Sequence, residues 1–150
     1  LKNGIEKTTR WYKSGDIFSV KTLKDGIEKT TSWHEKGQIR TEYNYIDNKK
    51  EGKFTSWYEN GQIKLEHNYI DNKKDGKHTW WYENGQVKEE YNYKDGNLED
   101  YYWWYENGQI KRESIYKDGI WKHIFWHENG QIKSVSNWKD GECISGDCPD

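Results

Sequence analysis

A glutamate recurs at one position of a repeated motif, and paired carboxylates are among the groups that general acid–base catalysis uses. The column comprises Glu35, Glu59, Glu83, Glu106 and Glu128. Each member stands two residues before a glycine, in a segment typical of a turn. Successive members are one repeat apart, so two strands of a sheet would separate them by roughly 10 Å. The column therefore predicts a row of solvated turn residues rather than a catalytic pair.

The five histidines are the other candidates for proton transfer or metal binding. His34 and His127 occupy a position that is otherwise tyrosine, and His67 replaces Tyr in two other repeats, so we interpret them as aromatic substitutes. His78 and His123 fall in a variable column. None shows the histidine or cysteine spacing of a zinc site, and no nucleophile-elbow, Walker or dinucleotide motif is present. The sequence therefore predicts no catalytic residues, no metal, no cofactor and no enzymatic activity.

Cys143 and Cys148 lie beyond the last repeat, separated by four residues. A disulfide between them would fasten the terminal strand and favour an oxidising compartment, the cell envelope or the exterior. Two free thiols, the alternative, fit a cytosolic protein. A redox role is not expected because the C-x-x-C spacing is absent.

The amino-acid composition limits the kinds of fold that could carry these residues. Of the 150 residues 31% are hydrophobic but 17% are aromatic, with 10 Trp and 12 Tyr, which favours a folded chain with an aromatic core. The net charge of −2 argues against a nucleic-acid partner, and no apolar run is long enough for a transmembrane helix. Ala is absent while Trp, Tyr, Ile and Thr abound, which predicts strands. The first residue is Leu rather than Met, which favours a processed chain or a fragment.

Internal repetition dominates the sequence. Six segments of the type WYENGQI recur, and their glycines are spaced by 22 to 24 residues: Gly15, Gly37, Gly61, Gly85, Gly108 and Gly130. A second turn signal, typically KDG, falls between them. Asn-Gly and Asp-Gly between strand-like runs are strong hairpin signals. The fold class predicted is all-β, a single-layer, twisted antiparallel meander of about six hairpin repeats, at 1–26, 27–48, 49–72, 73–95, 96–118 and 119–141, with a cap at 142–150.

The register follows from a three-residue Glu-Asn-Gly loop with glycine in the left-handed region. Trp57 then faces Ile63 across the strands, and one face receives Thr55, Trp57, Ile63, Leu65, His67 and Tyr69. The other face receives Ser56, Tyr58, Lys64, Glu66 and Asn68. Repeats two and three carry four extra residues, 48–51 and 72–75, which we expect to extend the turns.

Two sets of residues follow from this register. A structural spine combines the Trp before each turn with the aliphatic residue after it: Trp33, Trp57, Trp81, Trp104, Trp126, Ile39, Ile63, Val87, Ile110 and Ile132. The opposite face, rich in exposed aromatics near the middle of the array, is the candidate partner-binding surface: Tyr58, Trp80, Tyr82, Trp103 and Tyr105.

The pattern W-Y-E-N-G-Q-[IV]-K, followed by about six residues and Y-K-D-G, resembles the bacterial variant of the MORN (membrane occupation and recognition nexus) repeat over residues 5–141. It is most similar to the YwqK-type group of antitoxin or immunity proteins. This resemblance implies a sheet used as an interaction surface.

The sequence is compatible with four functions. The first is a protein-interaction module, in its specific form the neutralisation of a toxin. The second is an extracytoplasmic glycan or cell-wall binder, in which aromatic rings stack on sugars. Membrane-surface binding is the weakest, because the only basic clusters are Lys49-Lys50 and Lys73-Lys74. A spacer role within a longer protein is the fourth, and the oligomeric state is not fixed by the sequence.

Overall fold

The computed structural model describes residues 4–149, which form one open antiparallel sheet of 15 strands. The strands are β1 (Glu6–Trp11), β2 (Ile17–Lys24), β3 (Ile27–Trp33), β4 (Ile39–Ile46), β5 (Lys49–Lys50), β6 (Gly52–Trp57), β7 (Ile63–Ile70), β8 (Lys73–Lys74), β9 (Gly76–Trp81), β10 (Val87–Lys94), β11 (Asn97–Trp104), β12 (Ile110–Lys117), β13 (Ile120–Trp126), β14 (Ile132–Lys139) and β15 (Glu142–Gly146). Their order in the sheet follows their order in the chain, with β5 and β8 as short side pairings. The predicted all-β meander of hairpin repeats is confirmed.

Two kinds of turn alternate along the chain, as their residue types predict. In the third repeat the amide of Gly61 donates to the carbonyl of Tyr58 at 3.0 Å, and the amide of Tyr58 donates to the carbonyl of Gln62 at 2.9 Å. Gly61 has φ +85°, so Glu59, Asn60 and Gly61 form the expected three-residue loop. The other turns are two-residue loops such as Asp95-Gly96, where both residues have positive φ.

The predicted assignment of faces is wrong, although the pairing at the turn is right. Trp57 does face Ile63, but the next pair is Ser56 with Leu65, because Lys64 is an extra, bulged residue. Since side chains alternate with period two, this single insertion moves the residues that follow to the other face. Phe54 then pairs with His67, while Thr55 pairs with Glu66.

Every turn after the recurring Trp carries the same register shift. We call the side of the sheet that carries Phe54, Leu65, His67 and Tyr69 the ladder face, and the side that carries Thr55, Trp57 and Glu66 the opposite face. Leu65, His67 and Tyr69, which were expected to share a face with Trp57, therefore lie on the other side of the sheet.

The extra residues of repeats two and three also differ from expectation. Asp47 and Asn48 form a tight turn with φ 48° and 63°, and β5 pairs directly with β4. The additional chain length is absorbed at residues 51–54, before regular pairing resumes between Glu42 and Thr55. The insertion therefore lies within the sheet as an irregular stretch of strand and does not lengthen the turn.

No hydrophobic side chain within residues 4–149 is fully buried. The eight buried side chains are polar: Thr30, Ser32, Thr55, Ser56, His78, Thr79, Ser114 and Ser136. A single sheet has no second layer to cover its faces, so most of the aromatic side chains are only half-buried against their neighbours. The expected aromatic core exists only in this distributed form, and Trp11, in the first repeat, is 62% exposed.

A disulfide closes a short loop after the last hairpin. Cys143 and Cys148 form a disulfide, and Asp147 folds back so that its amide donates to the carbonyl of Val135 at 2.7 Å. Only glycine fits at position 146 in this return. Its φ is +89°, and the Cβ of any other residue would lie 2.2 Å from the Val135 carbonyl oxygen. Residues 4–149 contain no helix long and apolar enough to cross a membrane.

Candidate functional site

The constant residues of the repeats connect each repeat to the next. The hydroxyl of Tyr58 donates to the backbone carbonyl of Trp81 at 2.7 Å, 23 residues away. Equivalent bonds join Tyr12 to Trp33, Tyr82 to Trp104 and Tyr105 to Trp126. In the second repeat the His34 ring takes the place of tyrosine, with Nε2 3.1 Å from the carbonyl of Trp57. This column is therefore a row of inter-repeat clamps.

The turns are connected in the same direction. The side-chain amide of Asn60 donates to the carbonyl of Glu83 at 3.1 Å, and Asn84 bonds to Glu106 in the same way. The bulged residue covers the clamp, since the Lys64 ammonium lies 5.4 Å from the centre of the Tyr58 ring. Because each of these contacts involves a constant position, the constant positions explain how the array holds together.

The predicted partner-binding residues thus divide into two groups. Trp80 and Trp103 lie on the ladder face and contact its aromatic rings. Tyr58, Tyr82 and Tyr105 belong to the clamps, which gives their hydroxyl groups an architectural partner. Their role in binding a partner stays a prediction, as does the role assigned to the Trp and Ile columns.

An aromatic ladder runs along the ladder face from β4 to β14. Adjacent ring centres are 4.6 to 6.4 Å apart. Its members are Tyr43, Phe54, His67, His78, Trp80, Tyr91, Tyr101, Trp103, Trp121, His123 and Trp138. Arg112 is inserted between rings, with its guanidinium carbon 4.8 Å from the centres of Tyr101 and Phe125 and 5.0 Å from Trp103. The ladder forms a continuous apolar strip with polar atoms at fixed points.

Two histidines of the ladder stay neutral at pH 7. Burial, reinforced by His78, Lys74 and Lys50, lowers the pKa of His67 to about 4. Burial also lowers the pKa of His78, which is fully buried with its Nε2 2.8 Å from the carbonyl of Asn68. Because a backbone carbonyl can only accept, His78 donates from Nε2. His67 Nε2 and His78 Nδ1 have no hydrogen-bond partner within residues 4–149.

A polar network surrounds Tyr91 in the middle of the ladder. Its hydroxyl donates to Glu89 Oε2 at 3.0 Å and accepts from Trp103 Nε1 at 3.1 Å. Burial, with a further contribution from Glu89, raises the pKa of Tyr91 to about 12. Burial next to Arg112 lowers the pKa of His123. These groups are fixed hydrogen-bonding points, and no side-chain cluster within residues 4–149 has the three or more acidic, His or Cys groups that a metal site needs.

Sequence reasoning missed most of the ladder because it placed His67 and Tyr69 beside the recurring Trp column. A signal was nevertheless present. The positions of the ladder vary from repeat to repeat, whereas the Trp, Gly and clamp columns hardly change. Variation at positions outside the turn and clamp columns is typical of a surface that is adapted to a ligand.

One pocket of about 270 Å³ opens at the start of the ladder. Tyr43, Phe54 and Tyr69 supply rings, and Asn44 and Glu51 supply polar groups. The Lys50 ammonium lies 5.1 Å from the centre of the Tyr69 ring. We call this the aromatic pocket.

The comparisons with known proteins agree with the repeat architecture. No curated protein sequence matches the chain. The family model described as MORN repeat variant matches residues 50–71, 74–95, 100–118 and 119–140, together more than half of the 150 residues. Such repeats form scaffolds that commonly mediate interactions and are generally non-enzymatic. The chain belongs to the MORN repeat variant family.

Proposed function

We propose that this protein is a non-catalytic scaffold that binds a protein partner through the aromatic ladder. The observation that carries the proposal is the ladder itself, an aromatic strip across β4–β14 that no second layer of residues 4–149 covers. Trp and Tyr are enriched at the energetic centres of protein interfaces, and Arg112 adds a third residue type of that kind. The fixed polar atoms of Tyr91 and Glu89 would supply orientation.

The specific form of this function is the neutralisation of a toxin as an antitoxin or immunity protein. The sequence resemblance to the YwqK-type group supports it, and the near-neutral charge suits a specific protein partner better than a polyanion. A neutralising scaffold needs a rigid, partner-specific surface and no chemistry of its own. The constant clamps and the variable ladder meet these two needs separately.

The test uses substitutions that the array already contains. Ser32 and Ser56 occupy the position of Trp80 and Trp103, so Trp80→Ser with Trp103→Ser removes the rings without introducing a foreign residue. Partners are captured from a lysate of the source organism on wild-type and variant protein and quantified by mass spectrometry. We expect one stoichiometric protein on the wild type and its loss on the variant. Circular dichroism at the capture temperature must show that the variant is still folded, because each substitution also removes packing from the ladder.

Tyr12→His serves as the matched control, because Tyr12 makes the clamp contact outside the predicted partner-binding set and His34 makes the same contact in the next repeat. The control is expected to retain the partner. A partner that the double variant also retains would place binding elsewhere. If the captured protein is toxic when expressed alone and harmless when co-expressed with the wild type, the antitoxin form is supported. A captured partner that is not toxic would support the protein-binding scaffold but contradict the antitoxin function.

A second candidate function is glycan binding, favoured by the aromatic pocket. Rings of Tyr43 and Tyr69 next to amide, carboxylate and ammonium groups match the alternating apolar and hydroxyl surfaces of a sugar. Calorimetric titration with neutral oligosaccharides tests it. Tyr69→Leu introduces the residue that the first repeat has at the same position, Leu23, and should abolish binding. An absence of heat with the wild type would exclude this candidate for the sugars used.

A further inference from the structure

The first four strands carry a second pocket on the ladder face, with a volume of about 410 Å³. Its wall differs in chemistry from the aromatic ladder. We call it the arginine pocket, after Arg10 and Arg40, and its hydroxyl groups come from Ser19, Thr30, Ser32 and Thr41. Tyr43 lines both this pocket and the aromatic pocket, so the two are neighbours.

The two arginines give the pocket an uncompensated positive charge. Lys21 and Glu28 also line it, but they form an ion pair with each other. Neither Arg10 nor Arg40 makes an ion pair or a side-chain hydrogen bond within residues 4–149, and both are exposed. Arg112, the remaining arginine, is instead held between aromatic rings. Two guanidinium groups without an ionic partner among residues 4–149, in a protein with net charge −2, make this pocket a candidate site for an anion.

The hydroxyl groups indicate what else the ligand carries. Ser32 and Thr41 bond to each other at 2.5 Å, and Thr30 is only 9% exposed. A hydroxyl can both donate and accept, so a wall of Ser and Thr side chains matches a ligand that itself bears several hydroxyl groups. A carboxylate side chain of a peptide would satisfy the arginines but would make little use of the hydroxyl groups beside them.

We propose that the arginine pocket binds an acidic saccharide, a sugar that carries a carboxylate. Arg10 and Arg40 bind the carboxylate, the Ser and Thr side chains bond the ring hydroxyls, and an adjoining sugar stacks on Tyr43 toward the aromatic pocket. This inference rests on the second candidate function, glycan binding, and adds the charge of the ligand and the residues that select it.

Isothermal titration of the whole chain with trigalacturonate tests the proposal, with neutral galactotriose as the uncharged probe. The variant Arg10→Gln with Arg40→Gln removes two positive charges at the pocket. The matched control, Lys29→Gln with Lys53→Gln, removes two from lysines that pair with Glu42 and Glu66 on the opposite face. We expect trigalacturonate to bind the wild type and the control alike, and the arginine variant at least about tenfold more weakly.

Each contrary outcome has a separate meaning. If galactotriose bound as tightly as trigalacturonate, and the arginine variant bound both equally well, the proposal would be overturned while glycan binding would still hold. Binding of neither sugar would overturn both. Hexaglutamate or inorganic phosphate that binds through the arginines, while trigalacturonate does not, would reassign the pocket to an acidic peptide or to phosphate. The melting temperatures of both variants are measured and must match that of the wild type, so that a difference in affinity reflects binding rather than unfolding.

Discussion

Two stretches of the same sheet face carry opposite chemistry. From β1 to β4 the ladder face presents mainly arginine and hydroxyl groups, and from Tyr43 on β4 to β14 it presents aromatic rings. The position immediately before the constant Trp shows the change: Arg10, Ser32, Ser56, Trp80, Trp103 and Phe125. The turns, the bulge and the clamp from one repeat to the next are nevertheless the same in both stretches.

This difference separates two tasks within one repeat. Constant positions build the backbone pairing, and variable positions on the ladder face set the chemistry of the surface. In arrays of this kind each repeat interacts mainly with its neighbours, so stability is roughly a sum of local terms. The ladder section, whose rings half-bury one another, should therefore be more stable than the first two repeats.

The largest expected effect comes from removing a ring of the ladder. Trp80 lies 4.6 Å from the centre of the His67 ring and 5.3 Å from Tyr91. Truncating a fully buried Trp lowers the unfolding free energy by about 3–5 kcal/mol, and truncating a half-buried Trp lowers it somewhat less. Trp80→Ser should therefore lower the unfolding free energy by about 3 kcal/mol. Urea denaturation monitored by circular dichroism measures this change.

Arg10→Gln is the comparison at the equivalent position of the first repeat. Because the Arg10 side chain is exposed, the unfolding free energy should change by no more than about 0.5 kcal/mol. Equal losses in the two variants would contradict the division between a packed ladder and an open arginine pocket.

The sequence predicted the elements well because their signals are local. Asn-Gly and Asp-Gly mark the turns, and the pairing of Trp57 with Ile63 follows from the length of one loop. The bulge at Lys64 has no such signal, since Phe18 and Arg40 occupy the equivalent position in other repeats. One inserted residue reverses the faces, so a correct turn led to a wrong assignment of Thr55 and Trp57.

The candidate site was less predictable than the fold. Trp80 and Trp103 were predictable because each is an aromatic residue directly before the recurring Trp. The partner of Tyr58 lies 23 residues away in the chain, and only the stacking of repeats brings the hydroxyl to that carbonyl. The ring centres of His67 and His78 lie 4.6 Å apart across β7 and β9. This contact depends on the same bulges.

The two stretches should also differ in their response to acid. Since burial holds the pKa of His67 at about 4, against about 6.5 in an unfolded chain, the unfolded state binds a proton that the folded state does not. The stabilisation is complete above pH 6.5 and is lost as the pH falls toward 4. We expect this histidine to contribute a loss of about 2 kcal/mol, measured by denaturation at pH 7 and pH 4.5.

His67→Tyr provides the control, because Tyr43 and Tyr91 occupy the same position in neighbouring repeats. Protonation of carboxylates affects wild type and variant equally, so the difference between them isolates the histidine. The variant should lose less stability between the two pH values. An identical loss would show that His67 is not the group that responds.

The clamps should act alike in both stretches, because they belong to the constant scaffold. Tyr82→Phe removes the hydrogen bond to the carbonyl of Trp104, and Tyr12→Phe removes the bond to Trp33. A hydrogen bond of this kind is worth about 1 kcal/mol, and we expect a loss of that size for each variant in urea denaturation. A clamp that matters in only one stretch would show that the scaffold itself differs between them.

The smallest effect is expected at the bulge, where the first repeat departs from the others. Phe18 packs edge-on against Tyr12 at 5.1 Å, whereas Lys64, Lys88 and Lys111 place an ammonium over the equivalent tyrosine at 5.3 to 5.9 Å. Both contacts are worth about 0.5–1 kcal/mol, so Phe18→Lys should leave the melting temperature nearly unchanged. The same variant adds a cation at the edge of the arginine pocket, which Phe18 lines, and should tighten the binding of trigalacturonate. A stable variant with altered affinity would show that the bulge supports the scaffold and adjusts the surface independently. A large drop in melting temperature would instead tie the two tasks together at this position.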